Sequence, residues 1–352
     1  MEKFKLTQEV LDSAREVMSE LENVEKVITL DIDEIEDYDF PCNELFGLIV
    51  PYNNEPYCFI IRFSCLNKNF ICMGPGARDR KRCDEKGNIM RPPFFVRWTW
   101  YVYLKESIIT YADPMMFHDD DISVTWFAGD DDHWPMEDIA LIIEKLAINQ
   151  NVLKDNILFF GSSGGGFSAV VLGTLIRNSK VLVNNAQFFV LNYSKQFVDG
   201  LFDLLEVEFN GLSREEITEK IKYRLDAIEL FKKEKYAPYI AYYVNSKSKM
   251  DMEYQIHQLI EGYYENESVN TLNIILYDDR NVEKPHNPLP TPETVNIIKL
   301  FCKNYMYNDS PNQRSNTVVE KGNFDNLIIN RSIMRKLNKM NAFASKFKRK
   351  FL

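Results

Sequence analysis

One glycine-rich turn constrains the fold of this chain more than any other feature of its sequence. Residues 161–165 read G-S-S-G-G, and they follow a short apolar run and precede an apolar stretch of helical length. A serine raised above a sheet by such a sharp turn adopts a strained backbone conformation. The positions two before and two after it must therefore lack bulk. Gly161 and Gly165 meet this condition around Ser163, so a buried strand, a tight turn and a helix are predicted in that order.

The spacing G-x-S-x-G around Ser163 is typical of a nucleophilic serine. Ser162 is adjacent, but only Ser163 occupies the centre of the pattern. The backbone N–H of Gly164 and the N-terminus of the next helix face the same point, which predicts one half of an oxyanion hole. A phosphate-binding turn and a purely structural turn stay open as alternatives. The turn lacks both G-x-G-x-x-G and the lysine of a P-loop, which favours the nucleophile.

The candidate base is His286. The chain has four histidines, and only His257 and His286 follow Ser163. His257 lies within a predicted helix, whereas His286 lies in the loop after the last predicted strand. A loop in that position can bring an imidazole over the serine. A surface histidine is the alternative interpretation.

The favoured acid is Asp251, which follows the predicted strand at residues 239–244 and precedes a helix. A carboxylate there can orient the imidazole and stabilise the imidazolium. Three acidic residues close to His286 in the sequence remain rivals, although they follow the strand that carries the histidine loop: Asp278, Asp279 and Glu283.

The second oxyanion donor is expected in the loop at residues 74–78, where glycines let backbone N–H groups approach a ligand. Gly76 and Ala77 are the candidates. Arg78 is a candidate contact for an anionic substrate, with an exposed structural arginine as the alternative. Trp134 is a candidate sugar contact, although tryptophans are more often core residues. The acidic clusters at 118–121 and 130–133 are interpreted as solvated turns, so no metal site is predicted.

Bulk properties narrow the class of protein. The chain has 352 residues and a net charge of −10, and an acidic body argues against nucleic-acid binding. It has no apolar run long enough to span a bilayer and no apolar N-terminal signal, so a cytoplasmic location is expected. The six cysteines form no C-x-x-C pair. Free thiols are therefore predicted in place of disulfides or a zinc site.

Short apolar runs and helical periodicity alternate from about residue 107, which predicts a mainly parallel sheet flanked by helices. Proposed segments are an N-terminal extension at 1–45, a main domain at 46–307 with a helical cap insertion at about 195–235, and a linker with a basic tail at 308–352. A helix is predicted at 7–24. The predicted strands are 27–30, 45–50, 58–63, 70–73, 94–103, 108–111, 122–127, 156–160, 181–183, 239–244 and 272–277.

The tail is a separate feature. Residues 331–352 carry lysines and arginines opposite an apolar face at helical spacing, and no acidic residue follows Asp325. This pattern is typical of a basic amphipathic helix that binds an anionic membrane surface or an acidic protein partner. A helix packed on the acidic body is the alternative. Peripheral association with the inner face of the membrane is the corresponding expectation for location.

Four stretches carry a resemblance to a known group of proteins: residues 74–78, 95–100, 126–129 and 156–169. They resemble bacterial α/β-hydrolase-fold proteins of capsule and surface-polysaccharide biosynthesis, including serine-dependent polysaccharide O-acetyltransferases. More distantly, they resemble the second accessory Sec-system protein. The resemblance covers roughly residues 70–305 and implies Ser163 as nucleophile, His286 as base and Asp251 as acid. It also implies acetyl-CoA as the acyl donor and a glycan as the acceptor.

Two alternative functions remain open. An esterase would use the same residues with water as the acceptor. A non-catalytic component of a polysaccharide or glycoprotein export complex would keep the fold without using its serine.

Overall fold

The protein is described by a computed structural model that covers residues 3–78, 90–263, 265, 270–278 and 284–307. The chain divides into two compact units, Met1–Leu289 and Pro290–Leu352. The described part of the second unit contains one long helix. The first unit contains the sheet and all the candidate site residues.

Within the described residues, nine strands form one sheet. They are β1 Lys26–Thr29, β2 Leu45–Tyr52, β3 Glu55–Arg62, β4 Phe70–Met73, β5 Ser107–Tyr111, β6 Ile157–Ser163, β7 Lys180–Ala186, β8 Tyr239–Asn245 and β9 Leu272–Tyr277. Their order is β1-β2-β3-β5-β4-β6-β7-β8-β9. Only β3 is antiparallel to its neighbours, β2 and β5. The other adjacent pairs are parallel, which confirms the predicted mainly parallel sheet.

Helices connect these strands. In the described part of the first unit they are α1 Gln8–Ser19, α2 Pro135–Asn149, α3 Gly164–Leu175, α4 Lys195–Glu208, α5 Arg214–Leu225, α6 Ala227–Glu234, α7 Lys249–Asp251 and α8 His257–Tyr263. The second unit contains α9, Thr291–Tyr305. A π-helical turn, Met252–Ile256, separates α7 from α8. The predicted helical insertion between β7 and β8 consists of α4, α5 and α6.

The centre of the first unit is apolar on both faces of the sheet. Every residue of β6 before Ser163 is buried, and α3 is buried from Gly164 to Thr174. Strands with both faces covered are continuously apolar, and the run in β6 has this pattern. The end of β6 is therefore held inside the sheet, between β4 and β7.

Two of the strand predictions, at residues 94–103 and 122–127, were wrong. Residues 94–103 contain a 3-10 helix, Trp98–Val102, which begins after Arg97 in a left-handed conformation. Its Trp100 packs beside Phe160 of β6, with ring centroids 6.1 Å apart, so the aromatic run covers the sheet without joining it. Residues 122–127 form a loop whose tight turn has positive φ at both Trp126 and Phe127. In addition, α1 ends at Ser19, earlier than the predicted residue 24.

The expectation that all cysteines are free thiols was also wrong. Cys42 and Cys65 form a disulfide, with Cα atoms 5.7 Å apart. Cys42 bridges to Phe63, just beyond β3, so the β2–β3 hairpin brings the two sulfurs together. Cys58 and Cys72 are free thiols and, like Cys302, are buried, and Cys83 lies outside the described residues.

The described ranges contain no cluster of three or more His, Cys, Asp or Glu side chains arranged to hold a metal ion. No helix in these ranges combines the length and apolarity needed to cross a membrane.

Candidate active site

The turn at the end of β6 has the strained geometry that its glycines predict. Ser163 has φ 52° and ψ −129°, a conformation that residues with a side chain rarely adopt. A Cβ added to Gly161 would lie 1.9 Å from the Gly165 carbonyl oxygen, and one added to Gly165 would lie 2.5 Å from the Gly74 carbonyl oxygen. Both glycines are therefore required by close backbone contacts, and Ser163 is held at the N-terminus of α3.

Ser163, His286 and Asp251 form one continuous chain of hydrogen bonds. The Oγ of Ser163 lies 2.9 Å from Nε2 of His286. Nδ1 of His286 lies 3.0 Å from each carboxylate oxygen of Asp251. Because an ionised carboxylate only accepts hydrogen bonds, Nδ1 carries the proton and Nε2 is free to accept one from Ser163. The structure thus brings together three residues that are 35 and 123 positions apart in sequence.

Asp251 is fully buried, at 0% relative exposure, and also accepts a hydrogen bond from Ser248 Oγ. It lies in α7, directly after β8. Its burial excludes competing water, so the carboxylate orients His286 firmly. Of the rival acids, Asp278 lies 4.0 Å from Lys247, and the other two, Asp279 and Glu283, lie outside the described residues.

The loop that carries His286 is held by an asparagine at the end of β7. Nδ2 of Asn185 donates to the carbonyls of Pro285, His286 and Asn287 at 3.2, 3.1 and 2.9 Å. Nothing in the sequence pointed to this residue beyond its place at the carboxyl end of a central strand. The contact explains how a loop keeps an imidazole within hydrogen-bond distance of Ser163.

The predicted oxyanion loop lies against the same turn. A Cβ on Gly76 would lie 3.8 Å from the backbone nitrogen of Gly164, so the two backbones approach closely. The N–H of Gly164, the first residue of α3, has no partner within its own helix. A small open cleft adjoins this point. Its lining includes Gly76, Arg78, Phe94, Trp126 and Gly164.

No protein-family model matches this sequence, and no curated protein sequence matches it either. Solved structures do match. One is the capsule O-acetyltransferase of Neisseria meningitidis serogroup A, at 14% identity and TM-score 0.54, with 72% of this chain and 96% of that chain covered. A histidine-to-alanine mutant of that enzyme in complex with CoA matches at 13% identity and TM-score 0.52, over 71% of this chain and 95% of the other.

The chain has an α/β-hydrolase-like fold. Acetyl xylan esterase 1 from Thermoanaerobacterium sp. is another structural match, at 12% identity and TM-score 0.47, over 84% of this chain and 98% of that chain. At 14% and 13% identity, the two matches with TM-scores above 0.5 establish the architecture alone. The chemistry that this α/β-hydrolase-like chain can perform therefore depends on its own residues.

The fold places two further residues at Ser163 that the sequence had not indicated. Gln187, just after β7, donates from Nε2 to Ser163 Oγ at 3.2 Å. Its Oε1 accepts from Nε1 of Trp126 at 2.5 Å. Tyr193 packs between Trp126 and His286, with ring centroids 6.0 and 5.9 Å away. Burial raises the pKa of Tyr193, and an interaction with Ser163 lowers it in part.

Arg97 approaches the same strand end, although no sequence pattern had indicated a role for it. Its guanidinium donates to Ser162 Oγ at 2.5 Å and lies over the rings of Trp100 and Phe160. Burial lowers the pKa of Arg97 to about 10. A positive charge therefore lies close to the nucleophile turn, residues 161–165, although the hydrogen bond of Arg97 goes to Ser162 and not to Ser163.

The two predicted substrate contacts, Arg78 and Trp134, lie in different surroundings. Arg78 lines the cleft beside Gly164, and its guanidinium lies 4.4 Å from the centre of the Phe94 ring. Trp134 is buried, at 2% exposure, and packs edge-on against Tyr223. The structure does not support a sugar contact for Trp134, because its ring faces the core.

The remaining histidines and acidic clusters have structural partners. His257 lies on the surface of α8, beside Glu261. In the two acidic clusters, Asp119 and Asp130 accept backbone N–H groups two and three residues further along the chain. The clusters are thus turns, but they are not fully solvated as predicted, because Asp130 and the side chain of His118 are buried. His118, in the first cluster, is buried between Glu55 and Glu208.

Asp113 holds the turn that presents Trp126. Its carboxylate accepts hydrogen bonds from Thr125 Oγ1 and from the backbone N–H of Phe127, the latter at 2.9 Å. Burial raises the pKa of Asp113 to about 6, although hydrogen bonds from Thr125 and the backbone oppose this shift. The positive φ angles of Trp126 and Phe127 are therefore stabilised by a buried carboxylate.

We expect Asp113→Asn to reveal this titration. The folded state binds the Asp113 proton more tightly than the unfolded state, so its contribution to stability is greatest at low pH and falls as pH rises toward 6. The stability of the unmodified protein relative to Asp113→Asn should fall by about 2 kcal/mol between pH 4.5 and 7.5. Urea unfolding of both proteins at both pH values measures this difference in the free energy of unfolding. A difference that does not change with pH would contradict the assignment.

Proposed function

We propose that this protein transfers an acetyl group from acetyl-CoA to a hydroxyl of a capsular or cell-surface glycan, with Ser163 as the nucleophile. The observation that carries the proposal is the hydrogen-bond chain from Ser163 through His286 to the buried Asp251. The structural similarity to a capsule O-acetyltransferase supports the choice of donor and acceptor.

In the first half-reaction Ser163 loses its proton to Nε2 of His286 while Oγ bonds to the thioester carbonyl carbon. The carbonyl electron pair moves to its oxygen, and Asp251 stabilises the imidazolium. The tetrahedral intermediate then expels the thiolate of CoA. That thiolate takes the proton from His286, which leaves acetyl-Ser163 and neutral imidazole.

In the second half-reaction the acceptor hydroxyl gives its proton to His286, and its oxygen attacks the acetyl carbonyl carbon. Collapse of this intermediate breaks the bond to Ser163 Oγ, which recovers the proton from His286. The products are the acetylated sugar and the starting enzyme, with no net change in protonation.

The negative oxygen of both intermediates needs hydrogen-bond donors. The backbone N–H groups of Gly164 and of the loop carrying Gly76 and Ala77 are the proposed donors, because the two segments approach each other beside Ser163. Arg78, in the cleft next to them, is the proposed contact for a negatively charged part of a substrate.

An esterase remains the second candidate. The side chain of His286 is 22% exposed, so water can reach the base that would activate it. The same residues would then hydrolyse acetyl-Ser163. Only the acceptor separates the two functions, because the acylation step is common to both.

Labelled acetyl-CoA with a panel of bacterial glycans tests the proposal. We expect label in a glycan and release of CoA that depends on that glycan. Release of free acetate without labelled glycan would replace the transferase with the esterase. If neither product forms and an export complex tolerates loss of Ser163, a non-catalytic role would replace both.

The predicted basic segment, residues 331–352, lies outside the described residues. We propose that its lysines and arginines direct the protein to an anionic membrane surface, in agreement with the predicted peripheral location. Sedimentation with vesicles that contain or lack an anionic lipid, using the full chain and a chain ending at residue 325, tests this. Equal sedimentation of the two chains with anionic vesicles would contradict it.

A further inference from the structure

The side chain of Gln187 is buried between the nucleophile and a tryptophan. Its relative exposure is 1%, and its backbone N–H also donates to the carbonyl oxygen of Ser163 at 3.2 Å. Trp126 is equally buried, at 1%. A Cβ on Gly164 would lie 3.4 Å from the indole nitrogen, so the edge of the indole lies along the nucleophile turn.

The orientation of the Gln187 amide follows from its partners. An indole N–H can only donate a hydrogen bond, so the group that faces Trp126 must be the oxygen Oε1. The amide nitrogen then faces Ser163, with its Nε2 at 3.2 Å from Oγ. A flipped amide would place two donors against each other in a buried site, which is costly. Trp126 thus selects the amide orientation that presents an N–H to Ser163.

We propose that Gln187 is a catalytic residue whose amide N–H donates to Ser163 Oγ, and that Trp126 is a positioning residue that fixes this amide. The inference rests on the proposed function, because it assigns a role in acylation of Ser163. It adds a side-chain donor on the nucleophile to the backbone donors expected at the carbonyl oxygen.

The donor has two consequences for the first half-reaction. Oγ accepts from Gln187, and Nε2 of His286 lies 2.9 Å from Oγ as an acceptor, so the Ser163 hydroxyl hydrogen points to that nitrogen. When this proton moves to His286, negative charge develops on Oγ as it bonds to the carbonyl carbon. The Gln187 N–H stabilises that charge, and hydrogen bonds to charged groups are stronger than those to neutral ones.

The same network connects the site to the loop before α2. Asp113 holds the turn that contains Trp126, and Trp126 in turn contacts Gln187. A change that releases this turn should therefore weaken the nucleophile without altering Ser163, His286 or Asp251.

Nucleophilicity of Ser163 can be measured directly, whatever the acceptor is. The probe is an aryl fluorophosphonate, which forms a covalent bond to an activated serine, and p-nitrophenyl acetate gives the acylation burst. In Gln187→Met and Gln187→Glu, which keep the side-chain volume, we expect both rates to fall on the order of 10- to 100-fold. KM for the ester should change little, because the amide touches the nucleophile.

A double-mutant cycle tests the positioning role. Trp126→Phe keeps an aromatic ring but removes the indole N–H, and we expect it to slow acylation on the order of 10-fold in the unmodified background. In the Gln187→Met background it should have no further effect. Thermal unfolding of each variant shows whether it folds. If one of the two Gln187 variants does not fold, the other is sufficient for the test.

The outcomes separate this inference from the proposed function. If Ser163→Ala still gives a burst and still reacts with the probe, the proposed function fails. If Ser163→Ala is unreactive while the Gln187 variants react at the unmodified rate, only the role of Gln187 fails. An equal effect of Trp126→Phe in both backgrounds would overturn its action through Gln187.

Discussion

Ser163→Ala should abolish acyl transfer, with a loss of at least about 10⁴-fold in the rate of acetyl release from acetyl-CoA. Alanine removes the only atom that can form the acyl-enzyme at this position, whereas His286 and Asp251 stay in contact with each other. The measurement is the single-turnover release of CoA, with mass spectrometry of the protein to detect acetyl-Ser163.

Ser162→Ala is the matched control, because it changes the neighbouring serine on the same strand. Ser162 Oγ contacts Arg97, and Ser163 Oγ contacts His286. We expect Ser162→Ala to keep activity within about tenfold of the unmodified protein, since it removes one hydrogen bond outside the reacting atoms. Loss of activity in Ser162→Ala with retention in Ser163→Ala would overturn the assignment of the nucleophile.

Asp251→Asn should lower the rate by about 10³- to 10⁴-fold. The asparagine amide can turn either an oxygen or an NH₂ group toward Nδ1 of His286, and it lacks the negative charge that stabilises the imidazolium. The proton can then move to Nε2, which leaves no acceptor for the Ser163 hydroxyl. The acylation burst with p-nitrophenyl acetate measures the effect.

Asp278→Asn is the control for this choice of acid. Asp278 is closer to His286 in sequence, but in the structure it lies 4.0 Å from Lys247. We expect its substitution to leave the burst unchanged. If Asp278→Asn loses the burst and Asp251→Asn keeps it, the acid has been misassigned.

The nucleophile turn was predictable because its causes are local. A strained serine needs glycine two residues before and after it, and the contacts of Gly161 and Gly165 show the steric reason. The strand before the turn and the helix after it are both continuously buried, so their apolar patterns were clear in the sequence. In this fold the nucleophile precedes the acid and the histidine along the chain. Only two histidines follow Ser163, so only these two were candidates for the base.

Other features depended on contacts that no local pattern encodes. Residues 122–127 are apolar enough to suggest a strand, but hydrogen bonds that they donate to the Asp113 carboxylate hold them in a turn. Residues 94–103 contain the aromatic residues typical of a strand, yet they pack on the sheet as a 3-10 helix. The Cys42–Cys65 disulfide requires the pairing of β2 with β3, which the spacing of the cysteines did not indicate.

The sequence by itself determined the sharp turn at Ser163, the mainly parallel sheet around it and the candidates His286 and Asp251. The turn and the sheet follow from backbone sterics and from the periodicity of apolar residues, which act over a few neighbouring positions. The two candidates follow from the order of nucleophile, acid and histidine along the chain. Only the tertiary structure decided which acid contacts the histidine, and only it revealed Gln187 and Trp126 at the nucleophile. Those contacts join the ends of separate strands and loops, and their hydrogen-bond distances exist only once the sheet has brought those ends together.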